Sequence, residues 1–266
     1  MKPVIYYRLE GSLADESERQ AMERNFLCIT SRLGANRGDL IIARYSALPF
    51  YHDLENDLLR VGALMVNSYK QHRYAADLEN WVGDLQDVTP ETWRELPDVP
   101  NDAFPIIVKG ETNSKKFLWD THCFAKDRRS AAEVTCRLMD DGVIADQHIY
   151  YRKYIPLKTY MVGLRGLPVT KEFRVFVCNA KVVSAGYYWS NHYEDLSEKP
   201  STEEIPKQFL DDVISRVGMK IPFYAVDVAQ KQDGGWIVIE LNDGQQSGLS
   251  MNDPEVLYKN LKSTLI

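Results

Sequence analysis

Two acids and an amide are spaced to meet on one face of a hairpin near the C-terminal end. The runs Phe223-Tyr224-Ala225-Val226-Asp227-Val228 and Trp236-Ile237-Val238-Ile239-Glu240-Leu241-Asn242 flank Gln232-Asp233-Gly234-Gly235. An Asp-Gly step between β-rich runs is a hairpin signal. With Asp233 and Gly234 as the central pair, Gln232 faces Gly235 and Asp227 falls opposite Glu240. Asn242 lies two residues further along the same face. A four-residue loop leaves that pairing unchanged, whereas a three-residue loop breaks it, because a one-residue slip turns a strand over. Directly opposed like charges, with Cβ atoms roughly 4.5–5.5 Å apart, repel. The arrangement therefore asks for a cation, and three hard oxygen donors suit Mg²⁺ carrying a nucleotide's phosphates. The plain alternative is an exposed hairpin with solvated acids.

Other charged groups stand where apolar strands leave little room for them. Lys109 ends the run Phe104-Pro105-Ile106-Ile107-Val108 and abuts the polar loop 110–116. An anion meeting it there would offset the cost of its charge, and the neighbouring amides could cradle phosphate; otherwise it is a lysine reaching solvent. The loop lacks the spacing of a P-loop. Arg174 sits mid-strand opposite the face of Phe173, Val175 and Val177. It either pairs with Glu172 on its own face or aims its planar fork at a phosphoryl group. Arg152 shares a face with Tyr150 and Tyr154, which could stack on it. Lys231-Gln232-Asp233-Gly234 matches the short K-x-D-G pattern of covalent nucleotidyltransferases. That pattern is weak, and the same residues already make the hairpin turn.

The elements that must hold these groups follow from periodicity and punctuation. Residues 4–9 read as a strand, 15–33 as an amphipathic helix carrying Met22, Phe26, Ile29 and Leu33, and 40–45 as a second strand. A helix after Pro49, a short β piece at 63–66 and a helix over 69–82 complete a β-α-β-α-β order, the pattern of a small parallel sheet. Pro90, Pro97, Pro100 and Pro105 punctuate the passage to a second region, which divides the chain into 1–100 and 101–266. There, residues 104–109 and 148–156 read as strands, with 117–119 starting a return strand and 125–139 a helix. Strands over 171–178 and 181–187 form a hairpin around Asn179-Ala180. A helix spans 205–217, Asp253 and Pro254 start a last helix as N-cap and first turn, and 194–204 reads as a mobile acidic loop.

Composition narrows the rest. The chain has 266 residues, 44% of them hydrophobic and 26% charged, enough for a sizeable core. A formal net charge of −6 tells against a general phosphate-backbone binder; Lys126-Asp127-Arg128-Arg129 reads as a solvated helix face. The four cysteines and five histidines show no zinc spacing. The N-terminus has no signal-peptide pattern and no apolar run reaches bilayer length, so a cytoplasmic protein with reduced thiols is expected.

Taken in order, Val108-Lys109-Gly110, Tyr151-Arg152-Lys153-Tyr154-Ile155-Pro156, Glu172-Phe173-Arg174-Val175-Phe176 and Val238-Ile239-Glu240-Leu241-Asn242-Asp243-Gly244 resemble the ATP-grasp superfamily. They are most similar to the clade named for two arginines and one lysine, from about Phe104 to the C-terminus. The resemblance implies two α+β subdomains clamping ATP, preceded by a pre-grasp domain. It implies that Lys109 holds α/β-phosphate oxygens and that the loop 110–116, through Lys115 or Lys116, forms a lid. Arg152, Lys153, Tyr154 and Ile155 would line the adenine pocket, and Arg174 would contact the transferred phosphate. Asp227, Glu240 and Asn242 would bind Mg²⁺. The hinge departs from the usual pattern in carrying Arg152-Lys153 where an acidic or amide residue is common. The implied chemistry is ATP-dependent ligation of a carboxylate and an amine through an acyl phosphate, on a small molecule, a peptide or a protein. An ATP-binding regulatory module and a nucleotidyltransferase using Lys231 are the alternatives.

Overall fold

A computed structural model describes residues 1–9 and 14–266. In the N-terminal region, β1 (Lys2–Tyr6), β2 (Leu27–Ile29), β3 (Asp39–Ala43) and β4 (Leu64–Met65) form one parallel sheet in the order β2-β1-β3-β4. Strands β1 and β3 are buried apolar runs, as the centre of a parallel sheet requires. Helices α1 (Glu16–Asn25), α2 (Tyr51–Val61), α3 (Tyr69–Ala76) and α4 (Leu78–Trp81) connect and cover it. Their boundaries follow local chemistry. Asp15 caps α1 by accepting from the Glu18 amide, Gly62 ends α2 at φ 79°, and Ser68 with Gln71 forms a capping box on α3.

Two expectations fail in this region. The helix expected over 15–33 stops at Asn25, because Phe26 turns extended and residues 27–29 join β1 as an edge strand. Leu33, its supposed fourth core position, is 91% exposed. The helix expected over 69–82 breaks at Asp77, whose backbone is extended between α3 and α4.

The second region holds two antiparallel four-stranded sheets. One contains β5 (Thr92–Trp93), β6 (Ile106–Gly110), β7 (Phe124–Ala125) and β8 (Ile149–Lys153) in the order β5-β8-β6-β7. The short helix α5 (Trp119–His122) and α6 (Arg128–Met139) accompany it, with α6 packed on β6 and β7. The return strand is thus 124–125. The expected start at 117–119 is helical, since a 3₁₀ turn at Lys116–Leu118 runs straight into α5. A small hairpin of β9 (Thr159–Val162) and β10 (Pro168–Thr170) leads to the other sheet. That sheet orders β11 (Glu172–Cys178), β12 (Lys181–Tyr187), β13 (Phe223–Gln230) and β14 (Trp236–Asp243) as β12-β11-β13-β14. Asn179 and Ala180 both adopt positive φ in the β11–β12 turn, the conformation a two-residue hairpin loop needs. Helix α7 (Lys207–Val217) lies between β12 and β13, and α8 (Pro254–Leu265) starts with Asp253 as N-cap, as expected.

Apolar faces bind these layers. Phe173, Val175 and Val177 of β11 join Val226 and Val228 of β13, Trp81 of α4 and Val213 of α7 in the largest core. On the opposite face Phe176, Phe223 and Ala225 pack with Leu257 and Leu261 of α8, and with Met22 and Ile42 of the N-terminal region. Among the described residues no helix is long and apolar enough to cross a membrane.

Candidate functional site

The β13–β14 hairpin places its acids as the spacing requires, by a different route. Asp227 pairs with Glu240 and Ala225 with Asn242. The loop, however, has three residues. Lys231 N–H donates to the Gly235 carbonyl at 2.7 Å, Gly234 N–H returns to the Lys231 carbonyl at 3.0 Å, and Gly234 takes φ +92°. Gln232 is therefore not the closing partner of Gly235. A three-residue loop should flip the strand, but a bulge between Asp227 and Val228 restores the pairing by skipping Ile239. Lys231 stays at this turn, bonded to Asp233 at 3.1 Å.

Long-range pairing brings the cations to the acids. Strand β11 sets Arg174 directly opposite Asp227, and the guanidinium grips the carboxylate through Nε and Nη2, both at 2.8 Å. Arg174 Nη1 donates to the Gly248 carbonyl at 2.9 Å. Burial opposes the charge on Arg174, but Asp227 more than offsets it and its pKa rises. Glu172, the same-face partner considered from sequence, does not pair with Arg174. It is 2% exposed, lies 3.6 Å from Lys116 Nζ, and has an Oε1 without a hydrogen bond. Burial raises its pKa against the pull of Lys116.

Lys109, at 5% exposure, reaches across from β6 to Glu240 Oε1 at 2.5 Å. Burial disfavours the Glu240 charge, yet Lys109 and Lys116 together hold its pKa down at about 2. Lys116 also donates to Tyr188 OH at 3.2 Å and sits 4.3 Å from that ring. Desolvation works against its ammonium, but Glu172, Tyr188, Glu240 and Asp227 together outweigh it, so the pKa stands well above the ordinary value. Lys115 turns to Asp141 at 2.8 Å, leaving Lys116 as the loop lysine at the site.

Arg152 has a different environment. Its guanidinium bonds Thr92 Oγ1 at 3.2 Å, Thr89 Oγ1 at 2.8 Å and the carbonyl of Ile239 at 2.7 Å. It lies over Trp81 at 5.7 Å rather than over the tyrosines of its own strand. Burial among neutral partners lowers its pKa to about 10. The carbonyl it uses belongs to the bulge residue, so the irregularity in β14 and this arginine are one feature. Beyond it, Lys153 N–H bonds the Glu91 carbonyl and Tyr154 N–H the Pro105 carbonyl; among the described residues the Ile155 amide has no backbone partner. The Tyr154 ring is held edge-on to Phe124 at 5.3 Å.

These groups line one continuous cleft between the two antiparallel sheets. Its deep, apolar end is walled by Ile107, Leu157, Leu167 and Ile239, with Lys153, Tyr154 and Ile155 along one side. Lys116, Glu240 and Trp189 continue it to Arg174, Asn242 and Tyr188, and Arg174 with Asn242 leads on to His72 and Gly248. Every site residue expected from sequence therefore lies on this cleft or, as Asp227 does, behind it on Arg174. Sequence reading missed Glu172 as the partner of Lys116, the Gly248 carbonyl, and Thr89 and Thr92. These are contacts between distant segments, with no local signature.

Among the described residues no group of three or more His, Cys, Asp or Glu side chains is arranged to hold a metal. The expected ligand set contains only two acids and an amide, and Mg²⁺ commonly takes one or two carboxylates with substrate phosphates. Asn242 Oδ1, the atom that could ligate a cation, has no protein partner among the described residues and is not sealed in the interior, whereas its Nδ2, a donor only, is buried without one. Each Asp227 oxygen accepts one bond from Arg174 and has a further lone pair. The donor set therefore fits a hard divalent cation.

A family model described as the ATP-grasp domain, R2K clade family 3, matches residues 95–261. The chain belongs to the R2K clade of the ATP-grasp ligase family. Similar solved structures share the fold. The RimK-domain ATP-grasp protein from Sphaerobacter thermophilus is 16% identical, with 99% of each chain covered and a TM-score of 0.61. The ATP-grasp ligase PsnB, complexed with a minimal precursor, is 12% identical, covering 100% of this chain and 99% of that one at 0.62. The macrocyclase MdnC of Microcystis aeruginosa, bound to a precursor peptide, is 10% identical, covering 100% and 99% at 0.60. No curated protein matches the chain significantly.

Proposed function

We propose that the protein is an ATP- and Mg²⁺-dependent carboxylate–amine ligase working through an acyl phosphate. The observation that carries the proposal is the meeting of Lys109, Arg174, Glu240 and Asn242 beside an apolar pocket with an unpaired hinge amide. In this reading residues 1–100 form the pre-grasp unit and 101–266 the grasp proper. Adenine lies between Ile107, Leu157 and Ile239, with Lys153 to Ile155 offering backbone groups and Arg152 bracing the wall. Lys109 and Lys116 donate to phosphate oxygens. Three of the five Arg174 N–H donors are engaged, and the remaining two face the transferred phosphoryl group. Mg²⁺ held by Asp227, Glu240 and Asn242 would supply further neutralisation of the phosphate charge.

A substrate carboxylate oxygen attacks the γ-phosphorus, the bond to ADP breaks, and an acyl phosphate results. The protein's contribution is alignment and fixed positive charge. Loop 110–116 excludes water until the amine arrives. Two structural relatives were solved with precursors, which supports a peptide among the substrates to be tried. Four unpaired cysteines support a cytoplasmic location.

The experiment is ADP and phosphate release from Mg·ATP against amino acids, short peptides and polyamines, with Glu240→Gln as control. Release that needs both a carboxylate and an amine, and that the control lacks, establishes the ligase. Saturable ATP binding without release on any mixture favours a binding module. A stable nucleotide adduct on Lys231 favours nucleotidyl transfer.

A further inference from the structure

Helix α3 places His72 at the end of the cleft away from the hinge. Its Nδ1 lies 3.0 Å from Asp243 Oδ2, and its ring stacks on Tyr51 at 4.3 Å and 19°. Asp243 also accepts from Asn67 Nδ2 and the Gln245 amide, both at 2.8 Å. A carboxylate held by these donors leaves Nδ1 as the nitrogen that carries the proton. Nε2 then keeps its lone pair. Among the described residues it has no protein partner, and it is not sealed in the interior. His72 lines this end of the cleft together with Arg174, Asn242 and Gly248. The neighbouring arginine on α3 is already committed. Arg73 bonds Asp77 at 2.5 Å and lies 3.9 Å from Glu111.

A histidine serving only the core would have both nitrogens satisfied. Here one is fixed by an oriented carboxylate and the other opens beside the phosphate-facing arginine, which is the geometry of an oriented general base. We propose that His72 takes the proton of the attacking amine, which enters between α3 and the segment 244–252. The proposal rests on the ligase reading above. As the amine nitrogen bonds the acyl-phosphate carbonyl carbon, the carbon–oxygen bond to phosphate breaks and phosphate leaves with the electron pair. The amine proton passes to His72 Nε2. The imidazolium is stabilised by Asp243 and returns the proton to solvent.

The test compares two nucleophiles on the full-length protein with Mg·ATP and its carboxylate. An alkylamine is protonated at neutral pH and needs a base, whereas hydroxylamine is largely unprotonated and does not. His72→Gln should lower alkylamine ligation by about 100-fold or more while hydroxamate formation stays near wild type, and added imidazole should restore ligation. Asp243→Asn, which favours the other tautomer, should show the same split. Equal loss with both nucleophiles in a folded variant, or no loss with either, would overturn the assignment. If the wild-type protein forms neither ADP nor hydroxamate with any carboxylate, the ligase reading itself fails, a result distinct from loss confined to the variants.

Discussion

Arg174 and Asp227 face each other across adjacent strands and are joined by two hydrogen bonds of 2.8 Å. Asp227 has no exposed surface, so its charge depends on that guanidinium. Removing one partner of a buried ion pair strands the other. Arg174→Ala is therefore expected to cost about 3–5 kcal/mol in urea unfolding. Arg174→Ala with Asp227→Asn should recover most of that stability and none of the ADP release.

Acid stability should report on Glu240. Burial would raise its pKa, but Lys109 and Lys116 hold it at about 2 against an ordinary 4.5. A carboxyl with a depressed folded pKa stabilises above its unfolded value and loses that contribution as pH falls through the folded one. The stability difference between wild type and Glu240→Gln should thus be constant near neutrality and shrink between pH 4.5 and 2. A difference that grows on acidification would contradict the ion pair.

Arg152 tests the hinge wall. Its planar fork reaches two threonine hydroxyls and the Ile239 carbonyl together, which a lysine cannot reproduce. Arg152→Lys should lower stability by about 1–3 kcal/mol, as expected when buried acceptors lose their donor. ATP affinity, measured by calorimetry, should fall more than turnover at saturation.

Gly186 lies across from Arg174 on β12. A Cβ there would meet backbone atoms of Met251 and Asn252 at 2.4 Å. The same segment carries Asn252, whose Nδ2 bonds the Arg174 carbonyl at 3.1 Å, and its neighbour Gly248 holds Nη1. Gly186→Ala should displace residues 248–252, lowering Tm and reducing turnover at least about tenfold with adenine binding retained. A turnover matching wild type would show that the 248–252 segment does not position Arg174.

Much of the placement of the candidate site was legible because it is built from local order. Lys109 at a strand end, Arg174 mid-strand and the Asp…Glu-x-Asn run each announce themselves within a few residues. What sequence concealed is cross-strand and cross-region. Arg174 has Glu172 beside it in sequence, but β11–β13 pairing gives it Asp227. Arg152 has tyrosines on its strand, but the fold gives it Trp81 and two threonines from residues 89–92. The helix over 15–33 failed because helical spacing persists by coincidence through residues that a parallel partner, β1, recruits as a strand. The Asp227–Glu240 pairing was reached with the wrong turn, since neither the third loop residue nor its compensating bulge alters composition.

That pairing of loop and bulge makes the β13–β14 hairpin a vernier rather than a ruler. The tip counts one residue more on one strand than the acids require, and Ile239 takes up the difference before Glu240. Alignment of the two carboxylates is set at Ile239, where Arg152 pins the displaced carbonyl, and not at the tip. Because the Gln232 amide bonds the Pro156 carbonyl, residues 233–234 are the place to splice a tag without moving the Asp227–Glu240 pair.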